Sequence, residues 1–480
     1  MKTIPLEQFS SLSEENFLSF LRDCQDMAQA DGEAKIVSVS LPVAHLDPLA
    51  VLESIYEETQ PHFYWEQPSA ETGLAGAEVV EEVRVSGKDR FTKVGVWTED
   101  IFRRTIYTGP SGLAFSGPHA LGGFTFAEEP GDGSSFPSGY FFIPRWQVAA
   151  VQGVCTATAN LRITPEGDLS KEGQRVWRAH KTFSRFRYHT PAADGGFPAP
   201  VVEEKEAGGP EAYRKAVAQA LQEIHRGDYE KVVLARALDL RFSRPIAPLA
   251  ALNDLRNQYP VCFNFSFSAG LGESFLGATP ERLLQVNGNL YRTEAIAGSA
   301  ARGKTAVEDA RRGGALLESI KDRHEHQLVI DTILKRFKTL GLMIQPLPSP
   351  RLLTLPNVHH LRTPVHGEGR EGLSPMEVLD GLHPTPAVGG KPLPPALAAI
   401  PRLETFARGP YAGTLGWIGP KGCMDFLVAI RSALLKGDRL RLFAGAGIVA
   451  DSQPDTEWAE TELKFKAMRD AFGLTAKEAE

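Results

Sequence analysis

Cysteine is scarce: four residues in 480, Cys24, Cys155, Cys262 and Cys423, scattered without a CxxC pair. That pattern argues against a disulfide framework or a cysteine zinc site and suits a reducing compartment. Long apolar runs are also missing. The opening MKTIPLEQFSSLSEENF lacks the apolar centre of a secretory signal, and no later run reaches membrane-spanning length. The expectation is a cytoplasmic protein with no membrane partner. Basic excess is absent, since 52 Lys+Arg against 59 Asp+Glu give a formal net charge of −7, so nucleic acid is not an expected partner. There is no internal repeat. The HExxH zinc pattern fails because Leu328 stands where the second histidine is needed, and His324 and His326, two apart, point different ways on a helix.

What is present is ordinary for a globular chain: 42% apolar and 23% charged residues, with length for one to three domains. Residues 1–60 read as mostly helical around a strand at Val37–Val43. From Phe63 to Ala157 the segments FYWEQP, FTKVGVW, GGFTFAEE and GYFFIPRWQVAAV suggest antiparallel sheet. TPAADGGFPAPVVEEKEAGG, between about 190 and 210, is the best linker candidate and divides the chain into 1–205 and 206–480. Tyr213, Val217, Leu221 and Ile224 then mark an amphipathic helix, ended by Gly227-Asp228.

Several positions carry two readings. Lys231 opens the apolar strand KVVLA; it is either a snorkelling strand end or a partly desolvated amine usable as a base. Glu281, in Thr279-Pro280-Glu281 between apolar strands, is either a turn residue or an acid held in a cleft. EAIAGSAARGK (294–304) reads as a loop, and a long helix follows from about Ala306 to Leu340. On it Glu325, Val329 and Ile333 share a side, a spacing that turns Glu325 inward with apolar neighbours. His359 and His360 face opposite sides of a strand. The last segments, through GPYAGTLGWIG and FLVAIRSALLKGDRLRLFAGAGIV, read as three strands with Arg431 embedded in the second.

The stretch Leu442–Lys464 reads as an apolar strand, a glycine turn, a loop ended by Pro454, and a helix. Glu457, Glu460 and Lys464 fall at i, i+3 and i+7 on one helix face. They are either a solvated face or, beside glycine N–H groups, a place for Mg²⁺ and an anion. Gly445-Ala446-Gly447 also mimics a dinucleotide fingerprint, but Asp451–Pro454 delays the helix and no βαβ unit surrounds it, so an NAD-binding dehydrogenase is a remote alternative.

Taken together, KVVLAR (231–236), FLGATPERLL (275–284), EAIAGSAARG (294–303), KDRHEH (321–326), HHLRT, HPTPAVGGKP, YAGTLGW, AIRSA and AGAGIVADSQPDTEWAETELK closely resemble the chorismate-utilising enzymes. These include isochorismate synthase, salicylate synthase and the first components of anthranilate and aminodeoxychorismate synthases. The match runs from about Tyr213 to Leu474. The resemblance implies an α+β fold, with stacked mixed and antiparallel sheets flanked by helices and the active site in a central cleft. It implies Mg²⁺ held by Glu325 and Glu460, with Glu457 acting through water. It further implies that Arg431, Lys464 and the N–H groups around Ala444, Gly445 and Gly447 bind chorismate carboxylates, with Ser299 and His360 in the same pocket.

Within the family, a lysine at position 231 goes with activation of water for attack at C2 of the ring, and Ala297 cannot supply the nucleophilic lysine of aminodeoxychorismate synthases. Glu281 would protonate the departing C4 hydroxyl. The resemblance therefore implies an isochorismate synthase, an isomerase of the menaquinone or phylloquinone type, acting without a glutaminase subunit. Salicylate synthase, which goes on to eliminate pyruvate, is the alternative.

Overall fold

The computed structural model describes residues 1–4, 13–110, 112–131, 136–183, 188 and 199–474. Much of the expected linker, residues 189–198, lies outside them; the part that follows, Val201–Glu206, is a strand hydrogen-bonded to Lys231–Phe242. The fold is α+β. Its strands form one hydrogen-bonded network, which is clearest as two antiparallel arms leaving a shared strand, Gly139–Val151.

The first arm runs through Thr72–Val85, His62–Gln67, Phe263–Ser268, Ser274–Thr279, Ser432–Lys436, Arg439–Ile448 and Lys231–Phe242. The second runs through Ala120–Phe124, Thr414–Ile418, Met424–Val428, Arg282–Asn287, Leu290–Ala301 and Val358–Glu368. Both arms draw strands from either side of residue 205. Phe265 and Phe275 from the first arm and Phe426 from the second are buried with Phe141 of the shared strand in one core cluster. Each such ring contributes roughly 1.5–3 kcal/mol by leaving water.

The chain passes between the arms at two neighbouring crossings. Thr279–Arg282 goes from first to second, and Val428–Ser432 returns. The crossings are tied together by Val428 N–H to the Glu281 carbonyl (3.0 Å) and Ala278 N–H to the Arg431 carbonyl (3.1 Å). These backbone bonds fix where Glu281 and Arg431 stand.

Helix ends follow local chemistry. Gly227 closes Ala212–Arg226 at φ 84°, a left-handed cap that costs glycine least. Pro454 occupies the first turn of Pro454–Ala471, where a missing N–H does no harm.

Five expectations need correction. FTKVGVW lies in the helix Arg90–Arg104, because Phe91, Val94, Thr98 and Ile101 bury one helical face, whereas the alternation of Val94 with Val96 leaves Val96 exposed. EAIAGSAARG is mostly strand, Leu290–Ala301, with a register shift between Ala297 and Ser299 that absorbs Gly298 at φ 78°. The helix expected over 306–340 is two, Ala306–Glu318 and Ile320–Thr339; Ser319 is extended and its hydroxyl accepts from Asp322 N–H, starting the second. The glycine turn near Gly445 is strand, since Arg439–Ile448 pairs with Lys231–Phe242 through Ile448. The three final strands are four, and Arg431 sits between two of them at φ 49° rather than inside one.

Candidate active site

A cavity of about 360 Å³ opens between the ends of the two arms, and it brings together the expected site residues: Lys231, Glu281, Ser299, Glu325, His360, Arg431, Ala444, Gly445, Gly447, Glu457, Glu460 and Lys464 all line it. The first arm supplies Lys231 and the glycines, and the second supplies Ser299 and His360. The crossings supply Glu281 and Arg431. The helices Ile320–Thr339 and Pro454–Ala471 close the remaining side with their carboxylates.

Lys231 does not snorkel. Its side chain is 4% exposed and its Nζ donates to Glu325 Oε1 at 2.8 Å. Gly447, opposite Val233 in the ladder, makes the approach possible: a Cβ there would stand 2.8 Å from Lys231 Cε. Burial alone would raise the Glu325 carboxyl, but the charge and hydrogen bond of Lys231, helped by Lys464 and Lys321, hold it below the ordinary value. Glu460 pairs with Lys464 at 2.7 Å, and Lys464 Nζ also donates to the Gly445 carbonyl at 2.8 Å.

Strand register explains which backbone groups face the cavity. Val233 and Ala235 send their N–H groups away from Arg439–Ile448, to the Gly389 carbonyl and to Glu404. Their cross-strand partners Gly447 and Gly445 are thereby non-hydrogen-bonded pairs, with N–H and C=O turned to the open edge. Ala444 alternates with Gly445, so its N–H belongs to the ladder and its contribution to the cavity is its lining surface. A glycine at 445 also leaves room for the Tyr411 hydroxyl, which would stand 2.9 Å from a Cβ.

Glu281 is 4% exposed and its carboxyl is pushed up to about 8, first by burial and then by the nearby Glu294 charge; Thr385, Lys231 and Arg431 offset this only in part. It is therefore a protonated acid at neutral pH. Arg431, 6% exposed, places Nη2 against His360 Nε2, while its Nη1 is buried without a hydrogen-bond partner. A guanidinium cannot accept, so His360 Nε2 must carry the lone pair and Nδ1 the proton, which faces Ser299 Oγ (3.0 Å) and the Gly298 carbonyl (3.2 Å). Burial, then the Arg431 and Lys464 charges, push His360 well below its ordinary value, so it stays neutral.

Glu457 is buried, and its carboxyl is raised by that burial and by Glu460, with Ser452 bonding offsetting. Among the described residues no three His, Cys, Asp or Glu side chains cluster closely enough to cage a metal by themselves. Two or three carboxylates around a cavity instead fit a hard cation that completes its shell with water and a substrate carboxylate.

Two contributors escaped sequence reasoning. Thr385 donates to Glu281 Oε1 at 3.5 Å, and Tyr411 stacks on Phe443 at 4.9 Å with its hydroxyl over the glycine strand. Both lie in segments that carry the family resemblance, HPTPAVGG and YAGTLGW, but neither residue type signals chemistry alone. The dehydrogenase alternative is excluded, because Gly445 and Gly447 lie in a strand and wrap no helix N-terminus.

No helix among the described residues is long and apolar enough to cross a membrane. The chorismate binding enzyme family matches residues 19–473. The salicylate biosynthesis isochorismate synthase of Pseudomonas aeruginosa is 35% identical over 93% of this chain and 92% of its own length. The isochorismate synthase MenF of Bacillus subtilis is 33% identical over 93% of this chain and 95% of its own. The solved structure of the menaquinone-specific isochorismate synthase MenF from Escherichia coli superposes with a TM-score of 0.76 at 25% identity, covering 95% of this chain and all of that one. With its fold and nearly its whole length in common with these proteins, the chain belongs to the chorismate binding enzyme family.

Proposed function

We propose that the protein interconverts chorismate and isochorismate, adding water at ring C2 while the C4 hydroxyl leaves. The observation that carries this reading is the pairing, in one cavity, of a buried lysine with a glutamic acid that holds its proton at neutral pH. Two of the relatives are named isochorismate synthases, and the third is named for the same activity within salicylate biosynthesis.

In this mechanism Lys231 takes a proton from water as its oxygen attacks C2, and Glu281 gives its proton to the departing C4 hydroxyl. Lys231 must be unprotonated to do so, and Glu325, its hydrogen-bond partner, is the group whose engagement elsewhere would release it. The reverse reaction uses both groups in exchanged roles. The unpartnered Arg431 nitrogen suits a substrate carboxylate, which would fill the hydrogen bond the guanidinium lacks. The outward N–H groups of Gly445 and Gly447, with Lys464, suit a second carboxylate. His360, fixed by Ser299 and Gly298, holds Arg431 in orientation.

Glu325 and Glu460 would hold Mg²⁺, with Glu457 reaching it through water. When bound, the ion would neutralise a ring carboxylate and polarise the ring.

The test is product identity. Purified protein with chorismate and Mg²⁺ near neutral pH is expected to yield a chorismate–isochorismate mixture by chromatography, with no pyruvate in a lactate dehydrogenase-coupled assay. Pyruvate released in step with salicylate would assign the protein to the salicylate synthases. No conversion of chorismate would overturn the reading. An isochorismate product fits supply to menaquinone synthesis, as the name of the menaquinone-specific Escherichia coli relative suggests.

A further inference from the structure

The helix Pro454–Ala471 carries two stripes of side chains one residue apart. Glu457, Glu460 and Lys464 face the cavity. Trp458, Thr461 and Phe465 repeat the same spacing one position on, about 100° around the axis, and they converge on a single buried side chain, Arg236. That residue is 4% exposed and does not line the cavity. It stands five positions after Lys231 on the same strand, ~17 Å along it.

The arginine's contacts are dense. Its guanidinium carbon lies 3.2 Å from the centre of the Trp458 ring and 5.2 Å from that of Phe465. Nη1 reaches Thr461 Oγ1 at 2.7 Å, the Trp458 carbonyl at 3.5 Å and Glu462 Oε1 at 2.7 Å. Nε reaches Glu206 Oε1 at 2.7 Å, which ties the short strand Val201–Glu206 to the same point. A second guanidinium, Arg214, lies 4.3 Å from the Trp458 ring and pairs with Asp455 at 2.7 Å. A planar fork that stacks and bonds at once fixes rotation as well as distance, which an ammonium cannot do.

We propose that Arg236 is a positioning residue that sets the rotational phase of the helix Pro454–Ala471, and so the aim of Glu457, Glu460 and Lys464 at the cavity. Because the helix is gripped on the adjacent stripe, a small rotation there swings the cavity-facing carboxylates out of register with Glu325 on the other helix. This rests on the Mg²⁺ reading above. The grip comes from the strand that also bears Lys231, so base and metal-side carboxylates share one rigid reference.

The test compares wild type with Arg236→Lys and Thr461→Val, taking Arg441→Lys as control because Arg441 pairs with Asp239 away from the cavity. Mg²⁺ is titrated at fixed chorismate, and separately its effect on melting temperature is followed with chorismate present. Arg236→Lys is expected to raise the half-saturating Mg²⁺ concentration about tenfold and shrink the Mg²⁺-dependent thermal shift, with kcat at saturating Mg²⁺ within about threefold of wild type. Thr461→Val, which keeps the volume and loses the hydroxyl's two hydrogen bonds, one accepted from Arg236 and one donated to the Trp458 carbonyl at 2.6 Å, is expected to move half-saturation two- to threefold the same way, and it decides the matter if Arg236→Lys fails to fold. Arg441→Lys should leave both readouts unmoved. A fall in kcat at unchanged half-saturation, or an Mg²⁺ response in Thr461→Val equal to wild type, overturns the proposal. A wild-type enzyme indifferent to Mg²⁺ overturns the metal reading beneath it instead.

Discussion

Two glutamates line the same cavity and behave in opposite ways. Glu281, at the crossing between the arms, has no cation in hydrogen-bond contact and keeps its proton up to about pH 8. Glu325, on a helix facing it, accepts a 2.8 Å hydrogen bond from Lys231 Nζ and is held below the ordinary carboxyl range. Glu281 is 4% exposed and the Glu325 side chain 25%, yet desolvation pushes both carboxyls the same way, upward. What separates them is whether a cation stands within bonding distance. One wall of the cavity thus stores a proton and the other stores negative charge, which is what an acid and a metal-side ligand each require.

The comparison breaks most severely at the proton-transfer groups. Glu281→Gln keeps shape and removes the proposed acid's proton, and Lys231→Ala removes the proposed base. Each is expected to cut kcat by ~10²–10⁴-fold in a coupled chorismate assay, and wild-type turnover in either would sink the assigned role. In wild type, kcat/KM for the direction in which Glu281 is the acid should fall as pH rises through about 8, since the ionised carboxylate has no proton to give.

Glu281→Gln also has a stability signature. The folded carboxyl holds its proton to about pH 8 while the unfolded one releases it near its ordinary 4.5, so raising pH across that window favours unfolding in wild type. The Gln variant lacks this penalty, so its stability relative to wild type should grow from pH 5 to pH 8, approaching about 4 kcal/mol, and show as a widening gain in melting temperature. A pH-independent difference would show that Glu281 is ionised in the fold.

On the opposite wall, Glu325→Gln is expected to lower activity by ~10²-fold by weakening the metal side, and EDTA should abolish wild-type turnover until Mg²⁺ is returned. Full activity in EDTA would leave Glu325 as no more than the partner of Lys231.

The legibility of the two walls also differs. Lys231, Glu281, Glu325 and the Glu457–Lys464 stripe were visible because charged side chains interrupt or phase with apolar patterns. Amphipathic helices such as Ala212–Arg226 were visible for the same reason. What stayed hidden depends on register. Whether Gly445 and Gly447 turn or extend is settled by the partner strand Lys231–Phe242, more than 200 residues away in the chain, and local glycine content pointed to the wrong answer. FTKVGVW satisfies two periodicities at once, so packing had to arbitrate. Arg431 lies in a break that only the two-arm topology creates, and Thr385 became relevant only through its contact with Glu281.

The smallest effect expected concerns the orientation chain that runs from Ser299 through His360 to Arg431. Ser299→Ala removes the 3.0 Å contact to His360 Nδ1, but the Nδ1 proton still has the Gly298 carbonyl at 3.2 Å, so the tautomer that presents a lone pair to Arg431 survives. One neutral hydrogen bond is worth about 1 kcal/mol, and the loss should appear as a three- to tenfold rise in KM for chorismate with kcat little changed. His360→Phe would go further, stripping Arg431 Nη2 of its acceptor beside an Nη1 that already lacks one. If Ser299→Ala instead lowers kcat a hundredfold at unchanged KM, the serine hydroxyl takes part in the chemistry itself.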